Sequence, residues 1–159
     1  METHTKHENA RAHPYRTLTV MTLGSYIAMY ALMYAMVDRV ANVYYSLNQA
    51  YMAGLMTAPM VLLELVLMRR MYTNTRANIA IVTAAAAAFT TCLVLIRSQG
   101  GISDEQFLRS MIPHHASAIL MCEQAPVHDP DIQALCRRIT TSQQSEIDLM
   151  KAKLAALDD

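Results

Sequence analysis

Three long segments, almost free of charged residues, dominate the N-terminal part of this chain and restrict what it can fold into. They cover residues 17–37, 48–68 and 77–96, and Glu64 in the second is their only charged residue. As helices rising about 1.5 Å per residue, they match the roughly 30 Å of a bilayer's hydrocarbon core. The first is longer than the roughly 7 to 15 apolar residues of a cleavable signal peptide. The sequence therefore predicts three retained transmembrane helices in a lipid bilayer.

Basic residues flank these predicted spans unevenly, which predicts their orientation. The first loop contains Arg39 as its one basic residue. The N-terminal side and the second loop carry more, namely Lys6, Arg11 and Arg16, and Arg69, Arg70 and Arg76. Because basic residues concentrate on the cytoplasmic side, we expect a cytoplasmic N-terminus. The first loop and everything after Arg97 then lie outside the cytoplasm.

The C-terminal part is hydrophilic and predicts two further helices. The first is expected to start after an N-cap at Ser103, with Gln106 completing a capping box. It ends before the break at residues 126–130, and a second helix follows to about Leu157. The pair is expected to form an antiparallel helical hairpin in an all-α protein. The predicted regions are a polar tail at 1–16, a transmembrane region at 17–97 and the hairpin at 98–159.

Several function classes lack support in the sequence. The net charge is zero and no basic stripe is interleaved with aromatics, so nucleic acid is not an expected partner. A di-iron site in a helical bundle needs Glu-x-x-His motifs, but Glu123 and Glu146 precede Pro126 and Leu149 at that spacing. Nothing marks a serine near the His pair as an activated nucleophile. We therefore do not expect an enzyme.

The hairpin segment 107–154 carries an ordered motif on both helices. Its elements are an aromatic-Leu start, Met-Ile-x-His-His, Ala-Ile-x-Met and Gln-x-x-Glu-Ile-x-x-Met. Here these are Phe107, Leu108, Met111, Ile112, His114, His115, Ala118, Ile119, Met121, Gln143, Glu146, Ile147 and Met150. This resembles the family known as domain of unknown function 305. The resemblance implies a ferritin-like four-helix arrangement and, in some members, an association with extracytoplasmic copper.

The motif predicts a metal site as well as a bundle. Residues three, four or seven apart share a helix face, and thioethers with imidazoles are ligands that Cu(I) prefers. The predicted ligands are His114, His115, Met111, Met121 and Met150, while Glu146 and Gln143 are expected to support these ligands rather than bind the ion. We expect a protein that binds or buffers copper in metal homeostasis. The alternative is a structural or interaction module without metal, in which the methionines pack in the core and the histidines hydrogen-bond locally.

The predicted hairpin differs from longer family members, which hold two helical pairs in one chain. Its second apolar face must be covered by a second copy or by the membrane helices, and we expect a homodimer. Cys122 and Cys136 lie at similar heights on the two helices, where family members tend to have a small residue. A disulfide, inert packing and copper ligation all stay open for this pair.

Other features of the sequence have simpler interpretations. Glu64 is expected to pair with Arg69 or Arg70, or to extend its carboxylate to the membrane surface. Tyr and Met residues recur about one turn apart along the spans, and these rows are expected to serve helix packing. The rows are Tyr26, Tyr30 and Tyr34, then Met29, Met33 and Met36, and then Met52, Met56 and Met60. The tail contains His4, His7 and His13, for which disorder is the favoured prediction and metal capture the alternative.

Overall fold

The computed structural model describes residues 14–158, and every regular element in that range is a helix. The all-helical class is therefore confirmed for the described residues, whereas most of the predicted polar tail, with its three histidines, lies outside them. The α-helices are α1 (Pro14–Leu32), α2 (Leu47–Leu67), α3 (Thr75–Ser98), α4 (Asp104–Gln124) and α5 (Pro130–Asp158). Two short 3-10 helices, Met33–Met36 and Val40–Asn42, lie between α1 and α2.

Three segments are long and apolar enough to cross a membrane, as expected from the sequence. They are Pro14–Met36, Leu47–Leu67 and Thr75–Ser98. Their boundaries differ from the expected ones by only a few residues. The first one narrows into a 3-10 helix over its last residues rather than staying α-helical throughout.

The described residues divide into two compact units. The first contains residues 14–31 and Ala50–Gly100, and the second contains Leu32–Gln49 and the chain from Gly101 onward. The loop between the first two spans therefore belongs with α4 and α5. The regions predicted from the sequence place that loop in the transmembrane region, and this division stays a prediction.

In the first unit, Gly54 allows α2 to come close to α3. A Cβ atom at this position would lie 2.9 Å from the Sγ atom of Cys92 and 3.8 Å from the Tyr26 ring. Small residues at such positions permit close packing of membrane helices. The Tyr26 hydroxyl donates to the Ala50 carbonyl at 3.2 Å, which agrees with the expectation that the tyrosine row serves helix packing.

Glu64 has a different partner from the expected arginines. Its Oε1 atom accepts a hydrogen bond of 2.9 Å from the hydroxyl of Tyr72, which is buried in the loop after α2. Arg69 and Arg70 are exposed, and no ion pair of Glu64 occurs within residues 14–158. Burial, then the hydrogen bond and charge of Glu64, raise the pKa of Tyr72 to about 12. The carboxylate near the end of α2 is thus satisfied by a hydroxyl and not by an ion pair.

At the start of α4, the expected N-cap is present, but the expected capping box is not formed. The Ser103 side chain accepts from the Gln106 backbone N–H at 3.3 Å, so Ser103 is the N-cap. The Gln106 side chain does not complete a capping box. Its Oε1 atom instead accepts from the Leu47 backbone N–H at 3.0 Å. The first N–H groups of a helix lack partners within that helix, and Gln106 supplies one to the start of α2.

The core of the second unit lies between α4 and α5. Its buried residues are Ile112, Ala116, Ile119, Ile147 and Leu154, with Val37 and Tyr44 of the first loop packed against them. On α5, Ile147 and Leu154 are buried, whereas Ile132, Leu135 and Leu157 are exposed. Asp129 caps α5 by accepting from the Asp131 and Ile132 backbone N–H groups. That cap confirms the expected helix break before α5.

Candidate metal centre

His115 lies on the buried face of α4. Ile112 and Ile119 are three residues before it and four residues after it, so all three share one side of the helix. Both isoleucines are buried, and His115 itself is only 7% exposed. A polar side chain with so little contact with solvent needs hydrogen-bond partners within the protein.

Both ring nitrogens of His115 have such partners. Nδ1 lies 2.9 Å from the Met111 carbonyl oxygen. Because a carbonyl oxygen can only accept, Nδ1 carries a hydrogen and donates it. Nε2 lies 2.7 Å from Oε2 of Glu146 on α5. The Met111 carbonyl therefore fixes the ring so that Nε2 faces the neighbouring helix, an orientation that metal-binding histidines commonly show.

The short contact between Nε2 and the Glu146 carboxylate needs a positive species. With Nδ1 protonated, an unprotonated Nε2 presents a lone pair, and so does an ionised carboxylate oxygen. A separation of 2.7 Å is a hydrogen-bond distance, so a proton lies between the two atoms. A metal ion cannot lie between atoms this close, because each metal–ligand bond is about 2.0 Å long; it binds both atoms only from one side or after they move apart.

The Glu146 carboxylate contacts side chains on both α4 and α5. Its Oε2 atom contacts the imidazole, and its Oε1 atom accepts from the Ser142 hydroxyl at 3.2 Å. The Glu146 side chain is 50% exposed, so the pair can be reached from solvent on the α5 side. Ser142 was missed in the sequence, although its position four residues before Glu146 on one helix is a usable signal.

The other predicted residues do not all lie with this pair. Met150 packs against the apolar core, and Met111 contributes its carbonyl oxygen. Gln143 is half-buried on α5. His114 and Met121 are both exposed, and the His114 ring centroid lies 6.0 Å from that of His115. The His-His motif thus divides into a buried, oriented ring and an exposed one.

Nitrogen, thiol and carboxylate ligands alone do not complete a metal site here. Within residues 14–158, no three His, Cys, Asp or Glu side chains are grouped closely enough to hold an ion. His115 and Glu146 are two donors, so further ligands must come from thioethers or from outside the chain. Of the predicted thioethers, Met150 follows Glu146 by one helical turn.

The serines near the motif make other contacts than those of an activated nucleophile. Ser110 and Ser117 donate to the Phe107 and Pro113 carbonyls, at 2.8 and 2.9 Å. Ser142 donates to Glu146. A nucleophilic serine needs a base that accepts its proton, usually an imidazole, whereas both His115 nitrogens face other atoms.

Cys122 and Cys136 lie together on the second unit. Both are free, half-buried thiols, and Cys122 has a hydrogen-bonding interaction with Cys136. This interaction, together with burial, raises the pKa of Cys122 to about 11. The predicted register of the two cysteines and the disulfide both stay predictions.

The chain is similar to a known protein family and to a viral protein. The family model described as Domain of unknown function (DUF305) matches residues 66–154, more than half of the chain. An uncharacterized protein of Acanthamoeba polyphaga mimivirus is 31% identical over 143 residues. That alignment covers 86% of this chain and 90% of the viral protein. No solved structure matches the chain.

Proposed function

The chain belongs to the family described as Domain of unknown function (DUF305), and on that premise we propose that it is a membrane-anchored protein that binds copper for metal homeostasis. The observation that carries this proposal is the His115–Glu146 pair. It combines a nearly buried imidazole held by the Met111 carbonyl with a solvent-reachable carboxylate 2.7 Å away. Copper is the cargo of the site.

The donor set fits copper better than a hard cation. Ca²⁺ takes six to eight oxygen ligands and Mg²⁺ takes a near-ideal octahedron of oxygens, whereas Glu146 is the one carboxylate at this position. Imidazole and thioether are preferred by copper, and thioether by Cu(I) in particular. Met150 is the nearest predicted thioether along α5, and its flexible side chain can turn toward an ion. His115, Glu146 and Met150 are therefore the proposed ligands.

The protein's own residues prepare this position in three ways. The Met111 carbonyl sets the tautomer and ring orientation of His115. The Ser142 hydroxyl orients the Glu146 carboxylate from its other oxygen. Isoleucines above and below His115 on α4 exclude water from one side of the ring. A copper ion bound by both side chains would take the place of the proton in the His115–Glu146 hydrogen bond.

The orientation of the chain belongs to the same proposal. We place the N-terminus in the cytoplasm and the α4–α5 pair outside it, in a bacterial inner membrane. The support is the distribution of basic residues, which are fewest in the loop between α1 and α2.

We further propose that α4 and α5 form an antiparallel hairpin that completes a ferritin-like four-helix bundle with a second copy. Val37 and Tyr44 already cover part of the apolar core, which reduces the need for that partner. Apolar side chains nevertheless stay exposed on the pair, namely Phe107, Met121, Ile132, Leu135, Leu149 and Leu157. Exposed apolar groups of this kind favour association. Crosslinking in membranes tests for the dimer, and a monomer at all concentrations contradicts it.

A competition titration tests copper binding at His115. The full chain in detergent is titrated with Cu(I) in the background Cys122→Ser with Cys136→Ser, so that thiolates at these two positions do not compete. His115→Ala is expected to weaken Cu(I) binding by about ten- to hundred-fold. The matched control is His128→Ala, because His128 is exposed in the loop before α5. Equal affinities for both variants reject the site.

A further inference from the structure

Cys122 and Cys136 form a second cluster of metal-ligating groups, separate from His115 and Glu146. Cys122 lies near the end of α4 and Cys136 near the start of α5. Both line one cavity of about 490 Å³ in the second unit. Polar and charged side chains share that cavity, among them Glu123, Arg137, Thr140 and Thr141.

The two thiols line the same cavity without being bonded to each other. Cys122 has a hydrogen-bonding interaction with Cys136, and both cysteines are free. Two thiol side chains, one on α4 and one on α5, thus line a single cavity before any ligand arrives. The fold therefore reduces the conformational entropy that is lost when both ligands are brought to one ion.

The composition of the cavity selects a soft ion of low coordination number. Zn²⁺ in structural sites takes four ligands, but no group of three His, Cys, Asp or Glu exists in the described part of the chain. Soft thiolates select Cu(I) among the ions that can use fewer ligands. A two-thiolate complex of a monovalent ion carries one negative charge, and Arg137 on the cavity wall offsets it.

We propose that Cys122 and Cys136 form a binding site for a soft monovalent metal ion, held by both sulfurs beside Arg137. On binding, each S–H bond breaks, its proton passes to water, and two metal–sulfur bonds form. No electron is transferred. The site goes beyond the proposed function at His115, because it uses different ligands and does not depend on that site.

Protection from alkylation tests this site on the full chain. The protein is kept in detergent without oxygen, reduced with a phosphine, and treated with iodoacetamide with and without Cu(I). Peptide mass spectrometry then reads each cysteine separately. Cu(I) is expected to slow alkylation of Cys122 and Cys136 at least ten-fold. Cys92 is the internal control, because it lies on α3 against Gly54 and should react at the same rate.

Variants separate this site from the one at His115. Cys122→Ser with Cys136→Ser is expected to lower the Cu(I) stoichiometry by one ion per chain. His115→Ala is expected to leave the protection of both cysteines intact. Two outcomes overturn the site: unchanged alkylation rates with Cu(I), or a disulfide between the two cysteines in the isolated protein before reduction.

Discussion

The Nε2 atom of His115 on α4 lies 2.7 Å from the Oε2 atom of Glu146 on α5, while Nδ1 of the same ring donates to the Met111 carbonyl. This geometry joins two helices through one polar contact beside an apolar core. It also explains why two adjacent histidines have different surroundings. Successive helical residues are about 100° apart around the axis, so only one of them can face α5.

Glu146→Gln separates the structural role of the carboxylate from metal binding. A glutamine amide can donate to a neutral Nε2 and keep the contact between the helices. We expect the free energy of unfolding to change by less than about 1.5 kcal/mol, while Cu(I) affinity falls by about ten-fold or more. Calorimetry and competition titration measure the two quantities. Glu146→Ala is the control, because it leaves His115 without a partner and should also reduce stability.

A Glu146→Gln protein that binds Cu(I) as tightly as the original would contradict the ligand role of this carboxylate. Loss of both stability and binding in the glutamine variant would instead show that the carboxylate acts through folding alone.

Tyr72→Phe tests the contact at the end of α2. The substitution removes the hydroxyl that donates to Glu64 and leaves a carboxylate near the membrane without this partner. The free energy of unfolding in detergent should fall by about 1 to 3 kcal/mol. Arg69→Ala is the control and should have little effect, because that arginine is exposed.

The pH dependence of unfolding tests the raised pKa of Tyr72 independently. Its pKa is about 12 in the folded chain against an ordinary 10.0, so the folded state holds the proton more tightly. The stabilisation is complete below about pH 10 and is lost as the pH rises toward about 12. The unfolding temperature of the original chain should fall more steeply over this range than that of Tyr72→Phe. Parallel curves for the two proteins would contradict the assignment.

Gly54→Ala tests the close approach of α2 to α3. The new Cβ atom would lie 2.9 Å from Cys92 Sγ, so either the Cys92 side chain or the helices must shift. Overpacking of this kind costs about 1 to 3 kcal/mol, measured as a lower unfolding temperature in detergent. Cys92→Ala in the same chain should restore much of the loss. Gly24→Ala is the control, because nothing lies within 4 Å of a Cβ atom there.

The orientation predicted from basic residues is tested by reporter fusions at the N-terminus and after Asp159. A reporter that is active only outside the cytoplasm should work at the C-terminal position and fail at the N-terminal one. The opposite pattern would place α4 and α5 in the cytoplasm and remove the argument for extracytoplasmic copper.

Much of the fold was predictable because its signals are local. Long stretches with at most one charged residue indicated three apolar segments, and Ser103 indicated the start of α4. The contacts that the sequence did not predict join residues far apart in the chain. Gln106 accepts from Leu47, and Val37 packs on the α4–α5 core. Spacing along one helix contains no information about which loop will cover it.

For the candidate site too, spacing along a helix did not predict the contacts between helices. The pattern selected His115 and Glu146 together with five other residues, but spacing could not show which histidine faces α5. That choice depends on the side of α4 that packs in the core, where Ile112 and Ile119 are buried. Likewise, the partner of Glu64 could not be chosen between nearby arginines and Tyr72, because the loop conformation decides it.

X-ray absorption of the Cu(I)-loaded full chain tests the central claim most directly. The measurement uses the Cys122→Ser, Cys136→Ser background, so that thiolates at these two positions do not contribute to the sulfur scattering. The account predicts the outer-shell scattering of one imidazole together with a sulfur ligand, and the imidazole contribution should disappear in His115→Ala. A spectrum without imidazole, or one that His115→Ala leaves unchanged, would contradict copper binding at His115.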